Sequence, residues 1–364
     1  MGTGILPSQA IHQLIDAQTV RLAHPAAAGQ IQPASLDLRL GARAYRVRAS
    51  FLPGKGVHVA AKLEHLALHE IDLSNGAVLE TGCVYLVPLQ ESLVLPADIA
   101  ASANPKSSTG RLDVFTRVIA DGAGEFDTVP AGYSGPLYAE ISPRTFPVLV
   151  RQGSRLSQIR FRRGSAHCSD QELRDLHAAE PIVSGTQPNI AGGLGLTVDL
   201  SGSGDDGLIG FRAKRHTGLL DVDRVAGYEV QDFWEPLYRR GEPSLILDPD
   251  QFYILASKEA VAIPPDYAAE MVPFNPLVGE FRVHYAGFFD PGFGYAGADG
   301  AGSRAVLEVR SHEVPFILED GQMIGRLVYE RLAARPSELY GQGIGSNYQR
   351  QGLKLSKHFR AFAG

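Results

Sequence analysis

Cysteine is nearly absent from this 364-residue chain, which holds only Cys83 and Cys168. Two are too few for a disulfide framework or a Cys-rich zinc centre, so both read as small, reduced, buried residues. Long apolar runs are missing as well. Nothing approaches the roughly 18 residues that a membrane helix needs, and no charged-then-apolar segment opens the chain. The start, Met1-Gly2-Thr3-Gly4-Ile5-Leu6, lacks the Ser or Thr that myristoylation wants at its sixth position. A cytoplasmic location with no membrane partner is the expectation. No basic stretch occurs and the net charge is −6, which argues against polynucleotide partners, since these need clustered Lys and Arg. A single nucleotide needs only a few local cations.

Signatures of several chemistries are also lacking. The zinc nucleoside-deaminase pattern, His-x-Glu followed by Pro-Cys-x-x-Cys, does not occur. Neither does a Walker loop or Gly-x-Ser-x-Gly. His65 and His69 have a spacing that could grip a metal on a helix, but no third ligand accompanies them, so they read as a solvated helix face.

Glycine and proline, by contrast, are plentiful, at 40 and 23 residues. They favour a turn-rich, mainly β architecture with a few short helices, and the length predicts two domains. Ser8 is positioned to cap a first helix with Ile11, Leu14 and Ile15 along one stripe. Short strands are expected at Ser35–Leu40, Val84–Val87, Ser92–Leu95, Leu137–Ile141 and Leu156–Phe161. Ser169-Asp170-Gln171-Glu172 is a capping box that opens a short helix to about Ala179. The boundaries predicted are a first β-domain over 1–164, a linker with a short helix over 165–207, a second β-domain over 208–338 and a tail over 339–364. That tail, polar and Gly-rich, cannot build a core and reads either as a frayed end or as a lid that orders over a ligand.

The halves repeat. Tyr85 and Tyr253, Pro96 and Pro264, Asp98 and Asp266, Glu140 and Glu308, Pro147 and Pro315, and Gly153 and Gly321 are each 168 residues apart. A constant register at these positions indicates tandem duplication of one β-domain.

Four features could carry chemistry. Lys106-Ser107-Ser108-Thr109-Gly110-Arg111 offers two cations, three hydroxyls and a Gly, the mixture that phosphate oxygens need. Glu308, in Arg304-Ala305-Val306-Leu307-Glu308-Val309-Arg310, points away from Leu307 and Val309, and Glu140 sits similarly in the first repeat. Taken alone, each reads as a carboxylate on a wet face. Tyr285 to Phe293 forms a hairpin punctuated by Asp290-Pro291-Gly292, able to offer main-chain groups to a base edge. The first repeat keeps a looser version at Ala123–Asp127 and Ala131–Gly135. Tyr340 and the run Asn347 to Gly352 close the chain.

In their order along the chain these motifs resemble the dCTP deaminase branch of the trimeric dUTPase superfamily, in its long, two-domain form. Gln32 to Gly41 is similar to the family's first segment, and Lys106 to Arg111 to its phosphate loop, with Lys in place of the first Arg. Ala286 to Phe293 resembles the base-reading hairpin, Val306-Leu307-Glu308 the segment with the catalytic Glu, and Asn347 to Gly352 the closing tail. The resemblance implies two tandem dUTPase-like β-barrel (β-clip) domains. It also implies hydrolytic deamination of dCTP to dUTP and ammonia, supplying dUTP for thymidylate synthesis. Glu308 and Ser107 would be catalytic, with Glu140 the alternative base. Lys106, Ser108, Arg111, Ala286, Gly287, Asp290, Tyr340, Tyr348 and Gln351 would bind substrate. Mg²⁺ would accompany the triphosphate, with no zinc; a homo-oligomer and feedback by dTTP belong to the same picture.

Repeat 2 has Asn275 to Glu280 in place of the phosphate loop, whereas repeat 1 has the stretched hairpin. Each repeat has thus kept the half that complements the other, which predicts one working site per chain. Rival readings are a dUTP diphosphatase, a bifunctional deaminase and diphosphatase in which Asp290 holds the attacking water, and a non-catalytic nucleotide sensor.

Overall fold

The computed structural model describes residues 2–184, 187–202, 207–273, 281–283, 287–298, 302–311, 313–341 and 352–362. It is mainly β with a few short helices. Two compact units form: Met1–Ala166 with Gly218–Val225 and Leu332–Ser337, and His167–Thr217 with Ala226–Arg331 and Glu338–Gly364.

In the first unit a five-stranded sheet and a six-stranded sheet enclose one apolar core that includes Leu36, Leu38, Leu86, Ile119, Ile159 and Phe161. Two segments from late in the chain belong to it. The short strand Leu220–Asp221 runs parallel to Val148–Val150, and the Arg151 guanidinium donates to both carboxylate oxygens of Asp221 at 2.7 and 2.8 Å. Leu332 packs with Ile5, Ala34 and Ala166, and Ala333 N–H donates to Ile5 C=O at 2.8 Å.

The second unit repeats this plan. Ile99–Pro105 corresponds to Tyr267–Pro273 and Arg155–Arg163 to Met323–Arg331, every bound displaced by 168 positions. Register agrees too: Glu140 pairs with Leu86, and Glu308 with Ile254. Even a detail recurs. Glu80 N–H donates to the Tyr85 hydroxyl and Asp248 N–H to the Tyr253 hydroxyl, both at 3.0 Å. The duplication is therefore physical, not a coincidence of sparse identities.

Several local expectations need correction. Val84–Val94 is one continuous strand, not two. The first helix, Ser8–Asp16, is capped by Pro7, and Ser8 is its first residue without a capping bond. Ser169 and Glu172, however, do form the capping box of the helix Asp170–Ala179. His65 lies in the helix Val59–Leu66 but His69 is in the following strand Ala67–Asp72, so they do not share a helix face. The passage 165–207, read as a linker, supplies core to the second unit, where Leu194, Leu196, Val198 and Leu200 are completely buried.

The end of the tail is also part of the second unit. Leu355 and Phe359 are buried, and the Phe359 ring lies 5.5 Å from Phe233 and 5.9 Å from Trp234. Ala226 and Gly227 N–H donate to Lys357 and His358 C=O, both at 2.9 Å. Four aromatic residues in the last 25 positions, Tyr340, Tyr348, Phe359 and Phe362, were the available signal.

The hairpin of the first unit is not stretched. Thr128 pairs with Ser102 and Phe288 with Glu270, so 26 positions separate the pair in the first unit and 18 in the second. The extra eight residues of the first unit precede the hairpin, and the second unit has eight more between hairpin and glutamate. Pro130-Ala131-Gly132-Tyr133 thus occupies the place of Asp290-Pro291-Gly292-Phe293. Gly132 and Gly292 both adopt positive φ, at 77° and 97°. Leu95 N–H reaches Tyr133 C=O at 2.7 Å, and Ile263 N–H reaches Phe293 C=O at 2.8 Å.

Candidate active site

The phosphate-loop candidate is a single helical turn, Ser107–Gly110, at the end of the strand Ile99–Pro105. Lys106 stays extended at its N-cap, and its carbonyl accepts from Thr109 and Gly110 N–H at 2.8 and 3.0 Å. Asp113, with φ 57°, then turns the chain, and its carboxylate takes the Thr145 hydroxyl at 2.5 Å. Ser108, Thr109 and Arg111 are buried, while Lys106 and Ser107 are half-buried. Lys106 Nζ meets Asp37 Oδ2 at short range, and Arg155 NH1 lies 3.4 Å from the same oxygen. Asp37 lies within the Gln32 to Gly41 motif, whereas no sequence pattern points to Arg155, because the two positions are so far apart.

Glu140 is 2 % exposed, and one of its oxygens, Oε1, takes Arg117 Nε at 3.1 Å and NH2 at 2.5 Å. The Arg117 guanidinium also lies 3.4 Å from the Phe126 ring centroid and donates to Ser50 Oγ at 2.9 Å. A wet face is excluded: the carboxylate is buried and held by an arginine that is itself stacked.

Glu308 is 5 % exposed in the strand Ser303–Ser311, where Ala305 to Ser311 are all buried. The wet-face expectation fails here as well, since both faces of the strand are covered. Arg310 lies 5.8 Å over the Phe252 ring. Asp290, 9 % exposed, opens the hairpin turn and its carbonyl accepts from Phe293 N–H at 3.1 Å.

Tyr340 N–H donates to Pro291 C=O at 2.8 Å, and its ring lies 5.9 Å from Phe293. A Cβ on Gly292 would come within 2.9 Å of Leu339 Cβ and of the Tyr340 backbone, so glycine is what lets the chain cross the hairpin this closely. Gly287 is half-buried, and among the described residues no atom lies within 4 Å of where its Cβ would stand. Ala286, Tyr348 and Gln351, and the loop Asn275 to Glu280, lie outside the described residues.

A further buried carboxylate has no signal in the sequence. Glu91 is fully buried and accepts from Arg39 N–H, Arg39 Nε and Gln30 Nε2 at 2.8, 2.8 and 2.9 Å. Burial raises its pKa, and these donors oppose the shift. Glu259, 168 positions on, takes Thr197 N–H at 2.8 Å in the same way, so this pair ties strands together in both units. Partial burial likewise pushes the Cys168 thiol up to about 11, and the half-buried group packs against the core of the second unit.

Family models account for both halves. The N-terminal domain of 2'-deoxycytidine 5'-triphosphate deaminase matches residues 2–165, and the C-terminal domain matches residues 169–359. A crystal structure of 2'-deoxycytidine 5'-triphosphate deaminase from Agrobacterium tumefaciens is 65 % identical, with a TM-score of 0.88 over 91 % of this chain and all of that one. Shorter relatives match less than half of the chain. A dUMP-forming dCTP deaminase from Kocuria rhizophila is 33 % identical over 161 residues, 43 % of this chain and 78 % of its own length. A dCTP deaminase from Shewanella amazonensis is 29 % identical over 168 residues, 44 % of this chain and 83 % of its own. The chain belongs to the dCTP deaminase family.

Proposed function

We propose that the first unit supplies the triphosphate contacts and the second unit the base-reading hairpin and the catalytic base for the deamination of dCTP. The enzyme is a dCTP deaminase, and the observation that supports this division of labour is that the two units, which share strand registers at a 168-residue offset, differ around the phosphate loop. Around the phosphate loop, the first unit has Asp37, Lys106 and Arg155. By register and offset the second has Gly195, Phe274 and Met323. Met323 Cε lies 3.1 Å from where a Cβ on Gly195 would stand, so a methionine fills that space.

Glu308 takes a proton from a water that attacks C4 of cytosine, then delivers protons to N3 and to the departing ammonia. Water is consumed, and dUTP and ammonia are formed. Ser107 and nearby main-chain groups hold the water. Lys106, Ser108 and Arg111 bind the triphosphate through charge-assisted hydrogen bonds. Ala286, Gly287 and Asp290 read base and sugar, and Tyr340, Tyr348 and Gln351 close over them. A half-buried lysine, two serines and an arginine suit phosphate oxygens rather than a metal. Mg²⁺ would come with the nucleotide and would screen its triphosphate charge. Each unit is read as a dUTPase-like β-barrel, and the enzyme as a homo-oligomer open to feedback by dTTP.

A second reading, cleavage onward to dUMP, is favoured by the buried carboxylate of Asp290, which could hold a water for attack at phosphorus. Incubation with dCTP and Mg²⁺ followed by product separation decides. Ammonia with dUTP supports deamination alone and ammonia with dUMP the bifunctional reading, whereas no turnover would leave a nucleotide sensor.

A further inference from the structure

Resting on that reading, we propose that Arg155 is a further substrate-binding residue, an additional cation for the triphosphate, and that the buried carboxylate of Asp37 positions both Arg155 and Lys106. Asp37 is 1 % exposed in the strand Leu36–Arg39, every residue of which is buried. Its Oδ2 serves Lys106 and Arg155 together. Their side chains are 19 % and 33 % exposed, so both cations run from a buried anchor toward solvent.

The backbone places them side by side. Lys106 N–H donates to Leu156 C=O at 2.9 Å, and Pro105 pairs with Ser157, which sets Arg155 on the strand next to the phosphate turn. Two formal positive charges share one negative charge, and the remaining positive charge suits a polyanion. The opposite wall is also fixed. Arg155 NH1 lies 3.4 Å from Ala28 C=O, in a loop whose His24 and Pro25 carbonyls accept from Arg39 at 2.8 and 2.9 Å.

The second unit is an internal control. Gly195 pairs with Arg326 as Asp37 pairs with Gln158, which fixes the equivalence across a 168-residue displacement of the partner strand. All three charged residues are replaced there by uncharged ones, together with the loss of the Lys-Ser-Ser-Thr-Gly-Arg sequence. A purely structural ion cluster has no reason to vanish in step with a phosphate loop. A phosphate-binding cluster does.

The test compares R155L, R155K and D37N with the wild type in steady-state deamination of dCTP, adding inorganic tripolyphosphate as a competitor. R155L should raise KM for dCTP and Ki for tripolyphosphate by about tenfold, the effect of one charge-assisted contact, with kcat within about twofold. R155K should recover part of the loss. D37N, nearly isosteric, should move KM in the same direction, and the double variant D37N/R155L should lose less than the product of the single losses. Unchanged KM and Ki in R155L, or a fall in kcat alone, would overturn the assignment. Unfolding midpoints taken in parallel identify a variant that merely fails to fold, in which case R155K carries the comparison. If the wild type itself does not turn over dCTP, the functional reading fails. Calorimetric titration of wild type and R155L with dCTP and Mg²⁺ then decides on Arg155 separately.

Discussion

Glu140 and Glu308 stand 168 residues apart at the same register of corresponding sheets in the two units, so descent cannot say which of them is the base, and only their neighbours can. Glu140 is bound to an arginine sandwiched between Phe115 and Phe126, with 4.6 and 3.4 Å to the ring centroids. A carboxylate held that way is committed to Arg117 and is poorly placed to shuttle protons. Glu308→Gln should lower kcat by about 10²–10⁴-fold with nucleotide binding retained, because it removes proton transfer and nearly preserves shape. Glu140→Gln should keep most of kcat but cost about 1–3 kcal/mol in chemical denaturation, since Arg117 loses its acceptor. The opposite pattern would place the base in the first unit. Arg111→Ala tests the phosphate assignment: KM for dCTP should rise by the equivalent of about 1.5–3 kcal/mol, and an unchanged KM would remove Arg111 from the site.

Strand positions were legible because alternation and offset are local signals: Arg155–Arg163 and Met323–Arg331 match residue for residue in length and place. The hairpin was misaligned because compensating eight-residue shifts before and after it restore the 168-residue offset by Glu140, hiding the displacement from any count of matches. The tail was misread because its polar, Gly-rich beginning hid an apolar end. Phe359 packs among Tyr228, Phe233 and Trp234. Phe359→Ala should therefore destabilise the second unit by about 3–5 kcal/mol, read as a lowered denaturation midpoint. Truncation after Leu339 should likewise unfold that unit, although the tail reads in sequence as unable to build a core. The capping box makes a separate prediction. Its donors, the Ser169 backbone N–H first and then the Ser169 hydroxyl and Arg331, hold the Glu172 carboxyl near 2, below its ordinary 4.5. A depressed carboxylate stabilises above its unfolded pKa and loses that contribution as pH falls from about 4.5 toward 2. Glu172→Gln should lower Tm at neutral pH and flatten its fall across that window.

At the scale of the whole molecule, duplication followed by divergence predicts a stoichiometry. The sequence showed two halves but not their interleaving: Gly218–Val225 and Leu332–Ser337 fold with the first unit, and nothing in their composition says so. Arg151, bridging to Asp221, becomes evident only once the strands are in place. The second half lacks the Lys-Ser-Ser-Thr-Gly-Arg sequence, and Met323 Cε lies 3.1 Å from where a Cβ on Gly195 would stand, at the position equivalent to Asp37. A chain with two intact copies would bind two nucleotides. One with a single such cationic cluster among its described residues should bind one. Calorimetric titration of the Glu308→Gln variant with dCTP and Mg²⁺ should give one nucleotide per chain, with turnover suppressed so that substrate persists. Adding Arg111→Ala to the variant should weaken that one event rather than abolish one of two. A stoichiometry of two would mean that the second unit recruits phosphate by groups other than those it has lost, and the division of labour proposed for the two units would fall with it.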